Sequence, residues 1–162
     1  MLRDGPSMTT NFAARDVDPD FRHVFRVRFA ECDPQGIVFN SRYLEYADML
    51  ITEQSRDIGL AFSGAHALAF NVVRAEVDFR APVRADEQLE GRLWVDRLGN
   101  SSMATRIELH GVDLAGNGAE AGAADLRTVI ALVHVHVDMA SGRPVPIPAE
   151  ARALLSGESV IE

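Results

Sequence analysis

The residues of this chain that are best suited to chemistry lie in the segment DPQGIVFN, which runs from Asp33 to Asn40. Asp33, Pro34 and Gly36 match the preferences of a type I turn at its first, second and fourth positions. Pro34 also biases Asp33 towards extended backbone. The turn therefore predicts a carboxylate held in place shortly before a helix. Such a carboxylate can act as a general base or a nucleophile, beside helix N–H groups that stabilise a developing negative charge.

Each of these residues also has a structural interpretation. Aspartate before proline is common at the start of a turn that has no catalytic role. Asn40 or Ser41 can cap the following helix through its side chain, and such a cap is compatible with charge stabilisation by a backbone N–H. Both interpretations of Asp33 stay open at this point.

Histidine and cysteine residues give weaker signals. His134 and His136 are two residues apart on one face of a predicted strand, a spacing that can bind a metal ion. No third ligand is apparent in the sequence, so no metal site is predicted. Cys32 is the only cysteine, which excludes an internal disulfide. It is expected to be a small buried apolar side chain.

The turn must be positioned by a long helix and a sheet. Residues 21–29 alternate apolar and polar types, which predicts a half-buried strand. Apolar residues from Tyr43 to Ile58 recur at helical spacing, and Gly59 is a suitable C-terminal stop. Four more strands and a short terminal helix are predicted over 71–79, 89–95, 103–112, 125–137 and 148–155. This order predicts an α+β domain, with one mostly antiparallel sheet covered on one face by a single helix.

Composition limits the classes of protein to which the chain can belong. Of its 162 residues, 47% are hydrophobic and 25% are charged, as expected of one globular domain. The net charge of −8 argues against nonspecific nucleic-acid binding. No apolar run is long enough to span a membrane, and the use of cysteine fits a cytoplasmic location.

The domain is expected over residues 21–155. Residues 1–20 lack the apolar centre of a signal peptide, and we expect them to form a disordered tail. Residues 156–162 are expected to form a second tail, and the Gly- and Ala-rich segment 113–124 a mobile hairpin tip.

The sequence resembles the hotdog-fold thioesterases, specifically the 4-hydroxybenzoyl-CoA thioesterase family with its YbgC-like relatives. The resemblance is carried by ECDPQGIVF and NSRYLEYAD, with weaker matches in VDFRAPVRADEQL and VDMASGRPVPIPAEARALL. It implies the hotdog fold, in which a five-stranded, mostly antiparallel sheet wraps around one long central helix. It also implies a homodimer or homotetramer with active sites between subunits.

The resemblance further implies hydrolysis of an acyl- or aroyl-CoA thioester, or of an acyl-carrier-protein thioester. Neither a metal nor a cofactor is implied, because coenzyme A is part of the substrate. The catalytic aspartate of the family falls on Asp33, and the helix-start amide that polarises the thioester carbonyl falls near Asn40. Tyr43 would line the acyl pocket, and three loop residues would lie along the substrate: Gly36, Ile37 and Val38.

Other residues are secondary candidates under this resemblance. Asp48 and Glu45 on the helix are reserve candidates for a catalytic carboxylate, because another branch of hotdog enzymes uses one. Some YbgC-like proteins carry a histidine where this chain has Asn40. Coenzyme A is anionic whereas the chain is acidic, so local arginines are expected to bind its phosphates. Four candidates on predicted strands and their ends are Arg74, Arg84, Arg92 and Arg106.

Two other functions remain open. A non-catalytic module that binds acyl-CoA or an acyl-carrier protein would keep the pocket and lose nothing when Asp33 is replaced. A hotdog dehydratase or hydratase needs a histidine paired with an acid near the helix, and the segment from Asp33 to Asn40 contains no histidine.

Overall fold

The computed structural model describes residues 13–61, 64, 67–112 and 125–157. The predicted hairpin tip over 113–124 therefore lies outside the described residues, as do residues 1–12 of the predicted N-terminal tail and 158–162 of the C-terminal one. No helix in the described ranges combines the length and apolar character that a membrane crossing requires.

The described chain forms one five-stranded sheet with two helices. All neighbouring strands are antiparallel, in the order β1-β3-β4-β5-β2. The strands are β1 Phe21–Arg26, β2 Phe70–Phe79, β3 Gln88–Leu98, β4 Ser102–Gly111 and β5 Leu126–His136. The helices are α1 Arg42–Asp57 and α2 Ala149–Ser156. This arrangement confirms the predicted α+β hotdog fold.

Helix α1 lies against the inner face of the sheet, and its apolar stripe forms the core. Leu50 is fully buried, and a Cβ at Gly91 on β3 would lie only 2.5 Å from its methyl carbons. The missing side chain at Gly91 therefore lets helix and sheet approach closely. The stripe packs on strand residues spaced two apart, including Leu89, Leu93, Ile107, Leu109, Ile130 and Leu132.

The first strand ends earlier than predicted. β1 stops at Arg26, and Phe29 is 83% exposed. A 3-10 turn over Phe29–Glu31 redirects the chain, because the Arg28 N–H donates to the Glu31 carboxylate over 2.8 Å. This local bond competes with continued strand pairing.

Part of the predicted N-terminal tail packs on the outer face of the sheet. The Arg15 N–H donates to the Glu108 carboxylate over 3.0 Å, and the Trp94 indole N–H donates to the Asp18 carbonyl over 3.0 Å. Residues 13–20 of the predicted tail thus make specific hydrogen bonds with the sheet. Long-range bonds to Glu108 and Trp94 hold this segment, and local sequence composition does not reveal them.

Candidate active site

A tight hairpin positions Asp33. The Gly36 N–H donates to the Asp33 carbonyl over 2.9 Å, and the Asp33 N–H donates to the Ile37 carbonyl over 2.8 Å. Gly36 has a φ of +75°, the left-handed region that favours glycine. The arms close as a bridge between Cys32 and Val38. A turn followed by a left-handed glycine is a common three-residue hairpin connection, so the sequence DPQG accounts for the geometry.

The Asp33 carboxylate is half-buried and tied to its own turn. Its Oδ1 accepts a hydrogen bond from the Gln35 N–H over 2.8 Å and a weaker one from the Ile37 N–H over 3.5 Å. Within the described ranges, no protein group donates to its Oδ2. One oxygen thus fixes the orientation of the group, and the other stays available to water or a ligand.

The second arm of the hairpin leads into helix α1. The Val38 N–H donates to the Val83 carbonyl over 2.8 Å, and the Phe39 N–H donates to the Glu31 carbonyl over 2.9 Å. The backbone N–H of Asn40 donates to no acceptor among the residues that the structure describes. This N–H therefore precedes α1 as an unpaired donor.

The helix start differs in one respect from the prediction. α1 begins at Arg42 with Ser41 as the N-cap residue, and the Ser41 side chain makes no capping hydrogen bond. Ser41 already has helical backbone angles, and the Arg42 N–H donates to the Phe39 carbonyl over 2.9 Å. A backbone turn therefore replaces the side-chain cap at this end.

Two surface depressions contain the predicted site residues except Gly36, which lines neither of them. One of about 420 Å³ is lined by Asp33, Phe39 and Ser41. The other, of about 260 Å³, is lined by Asn40 and by Ile37, Val38, Tyr43 and residues 79–82. A single chain therefore brings Asn40, Ile37, Val38 and Tyr43 together, while Asp33 opens into the other depression.

Tyr43 is both a core residue and a wall of the smaller depression. Its side chain is only 3% exposed, and its ring contacts Phe79 edge-on at 5.0 Å between centroids. Burial raises the pKa of the Tyr43 phenol, and the adjacent Thr128 hydroxyl partly opposes that shift. The phenol thus stays protonated at neutral pH.

Sequence reasoning missed the contact that joins Glu31 to the helix. The Tyr46 O–H donates to Glu31 Oε2 over 2.7 Å, and this oxygen also accepts the Arg28 N–H. Burial, followed by this bond to the carboxylate, raises the pKa of Tyr46 far above its ordinary value. The only signal in the sequence was a tyrosine on the buried helix face, whose O–H needs a partner.

Arg127 was also missed. Its guanidinium donates to the Pro82 carbonyl over 2.7 Å and to the Glu87 carboxylate over 2.8 Å. Two further bonds of 2.7 Å join it to both oxygens of Asp125. No local pattern signals a contact between a strand residue and a carbonyl 45 positions away.

The four candidate phosphate ligands are not equivalent. Arg106 is buried against Glu108, and Arg92 pairs with Glu90 on the outer face of the sheet, so neither is retained as a phosphate ligand. Arg74 pairs with Glu76. Arg84 is exposed, forms no ion pair within the described ranges, and lies beside Ile37 through a backbone bridge.

The two strand histidines are buried on the inner face of the sheet. His134 is 5% exposed, its Nδ1 has no partner in the described part of the chain, and burial lowers its pKa. His136 Nδ1 lies 3.0 Å from the Pro146 carbonyl, to which it can donate. Among the described residues, no three His, Cys, Asp or Glu side chains cluster as metal ligands would.

Comparison with known families gives one match. The family model of the thioesterase superfamily matches residues 35–114. The matched range begins two residues after Asp33, so the candidate acid lies just outside it, whereas Asn40 and Tyr43 lie within it. No curated protein matches the chain.

Solved structures share the fold over most of the chain. The PA5185 protein from Pseudomonas aeruginosa strain PAO1 has a TM-score of 0.72 and 29% identity, covering 86% of this chain and 92% of that one. A 1,4-dihydroxy-2-naphthoyl-CoA thioesterase from Synechocystis has a TM-score of 0.71 and 19% identity, covering 84% and 95%. A 4-hydroxybenzoyl-CoA thioesterase variant, in complex with 4-hydroxybenzoyl-CoA, has a TM-score of 0.72 and 18% identity, covering 83% and 97%.

Proposed function

We propose that this chain, a hotdog-fold thioester hydrolase of the thioesterase superfamily, hydrolyses an acyl- or aroyl-CoA with Asp33 as the catalytic acid–base or nucleophilic group. The observation that carries the proposal is the Asp33 carboxylate, which is held by its own hairpin through one oxygen and leaves the other without a protein donor in the described ranges. The hairpin arm leads directly into helix α1.

The proposed reaction needs an attacking group and a stabilised oxyanion. As a general base, Asp33 takes a proton from water while the water oxygen attacks the thioester carbonyl carbon. The tetrahedral intermediate then expels the thiolate, which takes that proton from Asp33, and the carboxylic acid is released. As a nucleophile, Asp33 would instead displace the thiolate to form a mixed anhydride, which water hydrolyses.

Asn40 is proposed to stabilise the oxyanion through its backbone. Its N–H donates to no acceptor in the described part of the chain, and it directly precedes the N-terminus of α1. A donor of this kind typically contributes about 3 kcal/mol of transition-state stabilisation. The amide is a backbone group, so the role does not require the histidine found here in some YbgC-like proteins. Ile37, Val38 and Tyr43 share its depression and are proposed to contact the substrate, with Gly36 shaping the loop.

A second copy of the chain is proposed to complete the site. The edge strand β2 exposes Val72, Val73 and Phe79 at 49%, 60% and 50%. A long apolar edge with unpaired backbone groups favours pairing with another strand. Phe79 also lines the depression that contains Asn40, so a subunit paired along β2 would lie next to the substrate. We propose a homodimer, or a tetramer of two such dimers.

The substrate class follows from the similar proteins and from the pocket walls. Two proteins with this fold are named for aroyl-CoA thioesters, namely 1,4-dihydroxy-2-naphthoyl-CoA and 4-hydroxybenzoyl-CoA. The depression beside Asn40 is lined by the rings of Tyr43 and Phe79. An aromatic or other flat apolar acyl group matches such walls. The proposed reaction consumes only the thioester and water.

The test is hydrolysis of a panel of acyl- and aroyl-CoA thioesters, followed by release of the free thiol. The wild-type chain is expected to turn over at least one of them, and Asp33→Asn is expected to lose at least ~100-fold in kcat. Asp57→Asn is the matched control, because it removes an exposed carboxylate at the other end of α1, and it is expected to keep the wild-type kcat. Full activity of Asp33→Asn would remove Asp33 from the mechanism.

The same assay separates the alternative functions. A non-catalytic module would bind an acyl-CoA with equal affinity before and after Asp33→Asn and would release no thiol. A panel that includes acyl-carrier-protein thioesters of the same acyl groups decides which carrier the enzyme prefers, through the ratio of kcat/KM values.

A further inference from the structure

We infer that Arg127 on β5 is a positioning residue that holds the loop between β2 and β3 against the active-site hairpin. The inference rests on the proposed function, since it assumes that Asp33 and Asn40 form the active site. Arg127 does not line the depression of either residue, so it acts on the site through the loop, residues 80–87.

Arg127 contacts the loop at its beginning, near its middle and at its end. Its backbone carbonyl accepts the N–H groups of Arg80 and Ala81 over 2.8 and 3.2 Å. Its guanidinium donates to the Pro82 carbonyl over 2.7 Å and to the Glu87 carboxylate over 2.8 Å. One residue thus fixes both ends of the loop.

The loop in turn supports the hairpin. The Val83 carbonyl accepts the Val38 N–H over 2.8 Å, and Arg84 forms a backbone bridge with Ile37. Val83 is fully buried, so its side chain anchors the loop in the core. A shift of the loop would therefore move the hairpin arm that connects Asp33 to helix α1.

The loop also forms one wall of the depression beside Asn40. Residues 79–82 line this depression opposite Ile37 and Asn40. Pro82, whose carbonyl accepts a hydrogen bond from Arg127, is one of the residues of this wall. Arg127 therefore supports both the hairpin and the surface against which a substrate would lie, and small displacements at such a site reduce catalysis strongly.

The ion pairs of Arg127 favour positioning over phosphate binding. The side chain is 17% exposed and is paired with two carboxylates, those of Asp125 and Glu87. The three groups together carry a formal charge of −1, which does not attract an anionic ligand. The bidentate bond to Asp125 fixes the guanidinium plane, and lysine cannot reproduce that geometry.

The test compares Arg127→Gln, Arg127→Lys and the control Arg92→Gln in the 162-residue chain. Arg92 is a fair control because it pairs with Glu90 on the same sheet, is 13% exposed and is outside the loop. Each variant is assayed with the best acyl-CoA and with the N-acetylcysteamine thioester of the same acyl group, which lacks the nucleotide. Hydrogen exchange at the Val38 amide reports on the loop without any reference to activity.

Arg127→Gln is expected to lower kcat by ~10-fold or more and by the same factor for both thioesters, with KM within ~3-fold of wild type. The Val38 amide should exchange faster, Arg127→Lys should recover part of the loss, and Arg92→Gln should change neither quantity. A loss confined to the CoA substrate through KM would overturn the inference, because Arg127 would then be a phosphate ligand. Unchanged kcat with unchanged exchange would also overturn it.

Two outcomes need a second measurement. If Arg127→Gln does not fold, Glu87→Gln replaces it, because this change weakens one contact of Arg127 with the loop and leaves the others in place. Glu87→Gln should lower kcat by ~3-fold and speed hydrogen exchange at the Val38 amide. If it changes neither quantity, the inference is overturned. If the wild type hydrolyses no thioester, the proposed function fails on its own. The role of Arg127 as the support of the loop is then decided by exchange at Val38 alone.

Discussion

The phenol O–H of Tyr46 donates to the Glu31 carboxylate over 2.7 Å and so joins the N-terminal half of helix α1 to the segment that precedes Asp33. Glu31 also accepts the Arg28 N–H through its side chain and the Phe39 N–H through its carbonyl. Glu31 therefore connects the 3-10 turn and helix α1 through its side chain, and the second arm of the hairpin through its backbone.

Removal of this phenol should weaken the fold and the site together. Tyr46→Phe keeps the ring contact with Phe25, whose centroid is 4.9 Å away, but leaves Glu31 without its O–H donor. The expected loss is about 1–3 kcal/mol in the free energy of unfolding, measured by urea denaturation. Glu31→Gln keeps an acceptor oxygen and should lose less. Equal stability of wild type and Tyr46→Phe would contradict the argument.

The left-handed turn residue gives a prediction with an internal control. Gly36 and Gly59 both have φ of +75°, and a Cβ at either position would meet no atom within 4 Å. Alanine at either site should cost about 1 kcal/mol through backbone strain alone. Only Gly36→Ala should also lower kcat, because Gly36 closes the hairpin of Asp33. Thermal unfolding and steady-state kinetics test this, and parallel losses of kcat in both variants would show that strain acts globally.

The close approach of helix α1 and the sheet predicts that substitutions at Gly91 and Leu50 have strongly coupled effects on the free energy of unfolding. A Cβ at Gly91 would lie 2.5 Å from both methyl carbons of Leu50, so Gly91→Ala should destabilise the chain by about 1–3 kcal/mol. Leu50→Ala opens a cavity, and the double variant should be more stable than the sum of the single losses predicts. A double-mutant cycle by urea denaturation measures the coupling, and additive losses would refute the contact.

The buried carboxylate on the outer face predicts sensitivity to acid. Burial alone would raise the pKa of Glu108, but hydrogen bonds from His110, Arg106 and the Arg15 N–H hold it below its ordinary 4.5. Its contribution to stability is therefore present above pH 4.5 and is lost as the pH falls through the lowered folded-state pKa. Glu108→Gln should lose about 3–5 kcal/mol at pH 7, because it leaves the buried Arg106 without its carboxylate, and should show a shallower fall of stability in acid.

The control for this experiment is Glu150→Gln, which alters an exposed glutamate on α2. Denaturation midpoints across the acid range should be the same for this variant and the wild type. If Glu108→Gln also retained the full acid dependence, other carboxylates would be responsible for it.

Substitutions on the two edge strands of the sheet should have different effects on subunit assembly. Val73 on β2 is 60% exposed and Val24 on β1 is 48% exposed. β2 offers ten residues for edge pairing and β1 offers six. Val73→Lys should therefore yield monomers with reduced kcat, whereas Val24→Lys should keep the wild-type assembly. Light scattering after size exclusion measures the mass, and a monomeric wild type would exclude the proposed subunit contact.

The sequence was informative wherever local chemistry decides the structure. Alternation in residues 21–26 and helical spacing from Tyr43 onwards predicted β1 and α1, and DPQG predicted the hairpin of Asp33. It was misleading at Ser41, where a backbone turn makes the side-chain cap unnecessary.

The remaining features depend on partners that are distant in sequence. Arg127 meets a carbonyl 45 residues away, and Arg15 meets a carboxylate 93 residues away. Each of these bonds exists only once the sheet has brought its strands together, and neither leaves a periodic pattern in the chain. For that reason the two supports of the hairpin, Glu31 with Tyr46 and the loop held by Arg127, required the structure.

The strand order has a consequence for the way the chain folds. β3 and β4 are joined by three residues, whereas the pairing of Phe21 with Leu93 closes a loop that contains Asp33, helix α1 and all of β2. Pairings between distant residues incur a larger loop-closure entropy and form late. The hairpin of Asp33 therefore reaches its final position after the β3–β4 hairpin has formed, and on refolding the β-sheet signal should return before activity does.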